Sequence, residues 1–181
     1  RQMCIRDSFN SGGVDEFLQN LVRPDNAAVA GINIGKNATT AIADAHFDYV
    51  NAMQRVYASA DYITVNISSP NTKSLRDLQN EAFLDELLGH LMAARSKCEK
   101  VHKRRVPIAL KVAPDLSGDE IETIAELVVS HQFDAVIATN TTVSRPDSLR
   151  SVHANEAGGL SGAPVKSCLL YTSPSPRDTN P

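Results

Sequence analysis

The sequence predicts an α/β fold in which about four βα units form a parallel sheet. Short apolar runs rich in β-branched residues alternate with longer segments of helical period, which is the pattern of strands joined by crossover helices. The 181 residues predict one domain, or part of one, because a single domain commonly takes about 100 to 200 residues.

Each element is predicted from its own stretch of residues. The strand-like runs cover residues 29–34, 62–67, 107–112 and 135–139. Helical periodicity predicts helices at about 14–23, 40–58, 81–103 and 118–132. Glu120 follows Ser117 by three residues, so we expect the last helix to begin with a capping box.

The charge balance argues against a nucleic-acid partner. The formal net charge is -3, with 18 Lys and Arg against 21 Asp and Glu, whereas phosphate contacts require clustered cations. The densest basic run, at 97–105, ends a predicted helix, where cations complement the macrodipole. No apolar run approaches the roughly 18 residues of a transmembrane helix.

Neither the cysteines nor the histidines have the spacing of a metal site. They are Cys4, Cys98 and Cys168, and His46, His90, His102, His131 and His153. An odd number of thiols without a Cys-x-x-Cys pair also argues against a disulfide framework and favours a reducing, cytoplasmic setting. We therefore expect no metal.

A polar residue lies near the carboxyl end of each strand-like run: Asn33, Asn66, Lys111, and the pair Thr139 and Asn140. In a parallel sheet an unpaired buried amide or ammonium is costly, so these groups need partners. Strand-end hydrogen bonding explains any one asparagine, and a buried ion pair is the alternative for Lys111. Together they predict a shared site at the carboxyl edge of a barrel or open sheet.

Two loops complete the predicted site. The stretch SSPNT at 68–72 follows the second run, and simple turn formation is its alternative interpretation. The stretch GGLSG at 158–162 has room for a phosphate or a flavin edge close to its backbone, with a flexible linker as the alternative.

Five motifs, taken in order, resemble the dihydroorotate dehydrogenase family. They are GINIGKN at 31–37, NISSPNT at 66–72, KVAPDL at 111–116, ATNTT at 138–142 and GGLSG at 158–162. The resemblance covers essentially all of residues 9–166. It indicates the quinone-dependent class 2, because the soluble class 1 enzymes carry cysteine where this sequence has Ser69.

The resemblance implies that residues 9–166 form a partial (β/α)8 TIM barrel of about four central βα units. Residues 1–8 and 167–181 resemble translated adapter sequence and are expected to be non-native, with a disordered tail as the alternative for 167–181. Strands that the family has on either side lack a counterpart here. Four strands cannot close an eight-stranded barrel, so we expect this chain alone neither to fold stably nor to turn over.

The resemblance also implies oxidation of (S)-dihydroorotate to orotate in pyrimidine synthesis, with hydride transfer to FMN and re-oxidation by a quinone. Ser69 is implied as the base, on a loop that closes over the substrate. The implied FMN contacts are Asn33, Asn66, Lys111, Thr139 and Gly162. The implied substrate contacts are Phe9, Asn66, Asn71, Asn140 and Thr141. Membrane contact is implied only through an N-terminal segment outside this sequence, peripheral on the cytoplasmic face of the inner membrane in a bacterium.

Two rival functions follow from the same residues. One is another flavin-dependent barrel acting on pyrimidines, such as a class 1 enzyme or a dihydropyrimidine dehydrogenase domain, against which Ser69 counts. The other is a non-catalytic barrel that holds a phosphorylated ligand, in which Ser69 and the asparagines have no purpose.

Overall fold

The computed structural model describes residues 12–21, 28–69, 75–150, 152–154 and 156–166, and its centre is a parallel sheet of four strands. The strands are β1 (Gly31–Ile34), β2 (Tyr62–Asn66), β3 (Ile108–Val112) and β4 (Ala135–Ala138). They lie side by side in chain order, without the reversal of order that defines a doubly wound sheet. The predicted α/β class and all four predicted strands are therefore confirmed.

Helices precede and connect these strands. They are α1 (Val14–Asn20), α2 (Ala45–Val56), α3 (Glu81–His102) and α4 (Gly118–Ser130). Three shorter 3-10 helices lie at Ile42–Asp44, Leu75–Gln79 and Ala163–Val165. The four predicted helices are confirmed, although α2 begins later than predicted because its first turn is a 3-10 turn.

Side-chain caps fix where two helices begin. The Ser117 hydroxyl accepts a hydrogen bond from the Glu120 N–H, and the Glu120 carboxylate accepts one from the Ser117 N–H, so the predicted capping box opens α4. The bonds from Ser117 lower the pKa of Glu120. At the start of α3, Asn80 accepts a hydrogen bond from the Ala82 N–H.

The hydrophobic core lies against one face of the sheet. Alternate strand residues point to this face and are buried with helix residues. The strand residues are Ile32, Ile34, Ile63, Val65, Ile108, Leu110 and Val112, and the helix residues include Tyr49, Met53, Leu84, Leu88, Leu91, Ile124 and Val128. Each fully buried Leu or Ile contributes about 1.5 to 3 kcal/mol relative to exposure. We call this side of the sheet the helix-covered face.

The opposite side, here called the open face, carries mostly small or polar residues. The register pairs Asn33 with Thr64 and Asn66 with Lys111, and it pairs Thr64 with Ala109. Since paired residues of parallel strands point the same way, all five side chains lie on one face, and none belongs to the hydrophobic core. The fold thus separates a packing face from a face that can receive a ligand.

A carboxylate anchors the start of β3. Asp134 accepts hydrogen bonds from the Ile108 N–H at 2.8 Å, from Arg95 at 2.6 Å and from Arg105 at 2.7 Å. Burial alone would raise the pKa of Asp134, but these bonds and the two guanidinium charges lower it. The buried Arg95 side chain therefore has its charge neutralised where α3 passes the sheet.

Candidate active site

The carboxyl ends of the strands bring the predicted polar residues to one edge of the sheet. Asn66 ends β2 and lies in register with Lys111 of β3, while Asn33 of β1 lies on the same face two residues lower in the register. Asn66 is buried, Lys111 is half-buried and Asn33 is exposed. The three side chains therefore lie on the open face near the carboxyl edge of the sheet.

Ser68 links two of the predicted asparagines. Its hydroxyl donates to Asn66 Oδ1 at 2.7 Å and accepts from Asn140 Nδ2 at 3.0 Å, and its N–H also donates to Asn66 Oδ1 at 3.1 Å. Ser68 is fully buried. Asn140 in turn accepts from the Thr141 N–H at 2.8 Å, so the ends of β2 and β4 form one hydrogen-bonded network.

Ser69 follows this network directly and is 2% exposed. The strand before it is held by Tyr49, whose hydroxyl donates to the Asn66 carbonyl oxygen at 2.7 Å. Burial raises the pKa of Tyr49, so this phenol stays protonated and remains a donor. Ser69 is thus shielded from solvent, three residues after the end of β2.

Arg76 joins three of the loops that follow the strands. From the 3-10 helix Leu75–Gln79 its guanidinium donates to the Ser68 carbonyl at 3.3 Å, to Asp115 at 2.6 Å and to the Thr141 carbonyl at 2.9 Å. A planar guanidinium suits such a role because its donors point in fixed directions. Arg76 therefore fixes the spacing of the β2, β3 and β4 ends.

Asp115 completes this junction. Its carboxylate accepts from the Thr142 hydroxyl, the Val143 N–H and Arg76. Burial would raise the pKa of Asp115, but the bonds from Thr142 and Val143, followed by Arg76, lower it. The carboxylate is thereby held in its charged form, which the Arg76 contact requires.

The remaining predicted residues lie after β4. Thr139 is half-buried and its hydroxyl donates to the Asn140 carbonyl oxygen at 3.0 Å. Gly162 has φ +85°, a conformation that favours glycine, and it directly precedes the 3-10 helix Ala163–Val165. An antiparallel bridge between Thr142 and Leu160 ties this glycine-rich loop to the β4 loop.

Lys111, which was expected to be buried, is half-buried, whereas its register partner Asn66 on the same face is buried. Phe9 and Asn71 lie outside the described residues, as do the segments 1–8 and 167–181. Sequence reasoning placed Ser68 in a loop of the site without assigning it a role, and it missed Arg76 and Asp115 as members of the site.

One protein-family model matches most of the chain. The model of the family described as dihydroorotate dehydrogenase matches residues 4–172. The chain belongs to the dihydroorotate dehydrogenase family. A curated relative named dihydroorotate dehydrogenase (quinone), from Cupriavidus pinatubonensis, is 53% identical over 164 residues, covering 88% of this chain and 47% of its own length. A relative of the same name from Coxiella burnetii is 46% identical over 165 residues, which cover 91% of this chain and 48% of the relative.

Solved dihydroorotate dehydrogenases share the fold. The ligand-free enzyme of Eimeria tenella superposes with a TM-score of 0.79 at 36% identity, covering 91% of this chain and 50% of that one. The complex of the Eimeria tenella enzyme with ferulenol superposes with a TM-score of 0.78 at 34% identity, and the match covers 91% of this chain and 49% of that one. The chain spans about half the length of these relatives, and its four βα units are part of a TIM barrel.

Among the helices of the described residues, none combines the length and the apolar character that a membrane crossing needs. For experiments we define the completed protein as residues 9–166 joined to the segments that flank the matching region in the Cupriavidus pinatubonensis relative.

Acid should destabilise the completed protein through Asp115 and Asp134. Both pKa values are lowered by folding, so each carboxylate stabilises the fold above its unfolded pKa of about 4, and this stability is lost as the pH falls through the folded pKa. We expect the urea concentration at the unfolding midpoint to fall as the pH is lowered from about 5 to about 3. In Asp134→Asn this dependence on pH should be weaker. The control variant Asp77→Asn, which changes an exposed carboxylate, should keep the full dependence of the urea midpoint on pH. An equal pH dependence in Asp134→Asn and Asp77→Asn would contradict the stabilising role of Asp134.

Proposed function

We propose that the protein containing this chain oxidises (S)-dihydroorotate to orotate in pyrimidine synthesis, using FMN and then a quinone. The main support is the arrangement of Asn33, Asn66 and Lys111 on the open face, with Asn66 connected to Asn140 through Ser68. Family membership and the printed name of the curated relatives agree with it.

The residues of the open face fit a flavin. Lys111 is half-buried, and its ammonium has no hydrogen-bond or ion-pair partner among the described residues, so its positive charge is suited to an electron-rich ring edge. Asn33 and Asn66 add amide groups on the same side, while Thr139 and Gly162 border the carboxyl edge. When bound, FMN supplies the acceptor for the hydride that leaves C6 of the substrate.

The substrate is proposed to lie over the carboxyl ends of β2 and β4. Dihydroorotate offers ring amides and a carboxylate, which match the amide donors and acceptors of Asn66 and Asn140 and the polar Thr141. Phe9 and Asn71 are proposed as further substrate contacts, both outside the described residues. Because the Ser68 hydroxyl fixes both amides, the substrate meets a preorganised surface.

Ser69 is proposed as the base that takes the proton from C5. A serine hydroxyl is a weak base, so it needs a water-excluding environment and a neighbour that accepts the proton onward. The 2% exposure of Ser69 provides the first of these. Closure of the loop that begins at Ser68 and runs to Gln79 is proposed to complete the exclusion of water.

A quinone is proposed as the final electron acceptor, because the curated relatives bear that word in their names. Membrane contact, peripheral and on the cytoplasmic face of a bacterial inner membrane, is proposed to involve a segment outside this chain. No nucleic-acid partner is proposed, in keeping with the net charge of -3.

The test is a two-step assay on the completed protein. Under anaerobic conditions, we expect dihydroorotate to bleach the absorbance of bound FMN, and a soluble quinone to restore it. A protein that binds FMN but is not reduced by dihydroorotate would contradict the proposed substrate. Reduction by dihydroorotate without re-oxidation by quinone would contradict the proposed acceptor alone.

The 181-residue chain by itself is predicted to lack both stable folding and turnover. Each of β1 and β4 has one neighbour in the described sheet, so each leaves one row of backbone groups unpaired. Expression of residues 9–166, followed by a thermal melt and flavin analysis, tests this expectation. A cooperative melt with bound FMN would overturn it.

A further inference from the structure

A group of metal-ligating side chains lies outside the proposed active site, where α2 packs beside α3. His46, in the first turn of α2, has its Nδ1 atom 3.9 Å from Glu86 Oε1. His90, one turn after Glu86 on α3, has its Nε2 atom 3.8 Å from the same oxygen. One potential ligand atom from each residue lies within 4.8 Å of the others. Among the described residues, no other group of three such side chains converges.

The arrangement differs from an ordinary surface ion pair. The two imidazole rings stack with centroids 4.3 Å apart and an angle of 11° between their planes, which brings them together where α2 meets α3. An ion shared by both rings would turn them out of this parallel stack, because each nitrogen lone pair lies in the plane of its ring. The His46 side chain is 15% exposed, whereas those of Glu86 and His90 are about half exposed. The site is therefore held on one side by packing and open to water on the other.

The ligand set indicates the kind of ion. Two imidazole nitrogens and one carboxylate oxygen suit zinc and similar divalent transition metals, whereas Mg²⁺ and Ca²⁺ prefer ligand sets made only of oxygen. Ligands on a tetrahedral zinc at about 2.0 to 2.2 Å are roughly 3.3 to 3.5 Å from one another. The distances of 3.8 and 3.9 Å from Glu86 Oε1 exceed that spacing by a few tenths of an ångström, and both rings must also rotate to direct their nitrogens at one ion.

We propose that His46, Glu86 and His90 bind a divalent transition metal, with zinc as the reference ion and water as the fourth ligand. The ion would join the start of α2 to α3 and stabilise this helix pair, a structural role separate from the proposed oxidation. Sequence spacing alone predicted no metal, since His46 lies far along the chain from the Glu86 and His90 pair.

The test uses the completed protein, treated with a chelator and then titrated with zinc chloride by calorimetry and in thermal melts. We expect saturable binding of one zinc ion per chain and a rise in Tm of about 2 °C or more, with no such response to magnesium chloride. His46→Gln and His90→Gln should each weaken zinc binding at least about 10-fold while leaving the Tm without metal within about 2 °C.

His131→Gln is the matched control. His131 also pairs with a carboxylate, Asp85, at 2.7 Å, but it belongs to no group of three ligands among the described residues. We expect it to bind zinc like the unmodified protein. Absence of saturable zinc binding, or equal zinc affinity in His46→Gln, His90→Gln and His131→Gln, would overturn the proposal. Because binding is read without turnover, the result does not depend on the proposed oxidation.

Discussion

Replacement of Ser69 by alanine in the completed protein should slow flavin reduction by dihydroorotate by a factor of about 10² to 10⁴. This is the usual contribution of a positioned acid or base, and the buried position of Ser69 leaves water a poor substitute. Bound FMN should be retained, because Ser69 is not among the proposed flavin contacts. Stopped-flow absorbance under anaerobic conditions measures both quantities.

The adjacent Ser68→Ala variant provides the comparison. The Ser68 hydroxyl already bonds to Asn66 and Asn140, so its loss should misplace these amides and raise the KM for dihydroorotate. The maximal rate of flavin reduction should fall much less than in Ser69→Ala. Unchanged reduction in Ser69→Ala, or a larger rate loss in Ser68→Ala, would remove Ser69 from the mechanism.

Replacement of Arg76 by lysine should lower kcat/KM by about 10- to 100-fold. An ammonium cannot reproduce the three divergent bonds to Ser68, Asp115 and Thr141, and a misplacement of about 1 Å at reacting groups costs on the order of 10²-fold. We expect kcat to fall while the FMN content stays constant, because Arg76 acts through the loops that it positions. Steady-state kinetics with parallel flavin absorbance measures this.

Arg104→Lys is the matched control for Arg76. Arg104 also donates to backbone carbonyls, those of Tyr57 at 3.0 Å, Ala58 at 3.3 Å and Ala60 at 2.6 Å, but these precede β2 at the amino edge of the sheet. It should lower Tm with little change in kcat/KM. Equal kinetic losses in the two variants would show that the effect of Arg76 is one of general stability.

The fold was predictable from sequence because its elements are encoded locally. Four runs rich in β-branched residues predict the strands, and four segments of helical periodicity predict the helices. The capping box of Ser117 and Glu120 also gives the residue at which α4 begins. Asn33, Asn66 and Lys111 were recognised as a set because each lies near the carboxyl end of a strand-like run, and the register confirms that all three share one face.

The contacts between loops were not predictable, because they join residues that are distant in the chain. Ser68 and Asn140 are 72 residues apart, and Arg76 and Thr141 are 65 apart. The sequence analysis placed Ser68 in a loop of the site without assigning it a role and did not single out Arg76, since no local pattern distinguishes a hydroxyl or guanidinium that bridges strand ends. Asp134 was missed for the same reason, because its partner Arg95 lies 39 residues away.

The central claim is that the open face and the carboxyl ends of its strands hold flavin and substrate together. The most direct measurement is a crystal structure of the completed protein with FMN and orotate. We predict the Lys111 ammonium and the amide of Asn66 within about 3.2 Å of ligand atoms, with orotate contacting Asn140. Flavin and orotate bound against the helix-covered face, or more than about 4 Å from both Lys111 and Asn66, would contradict the claim.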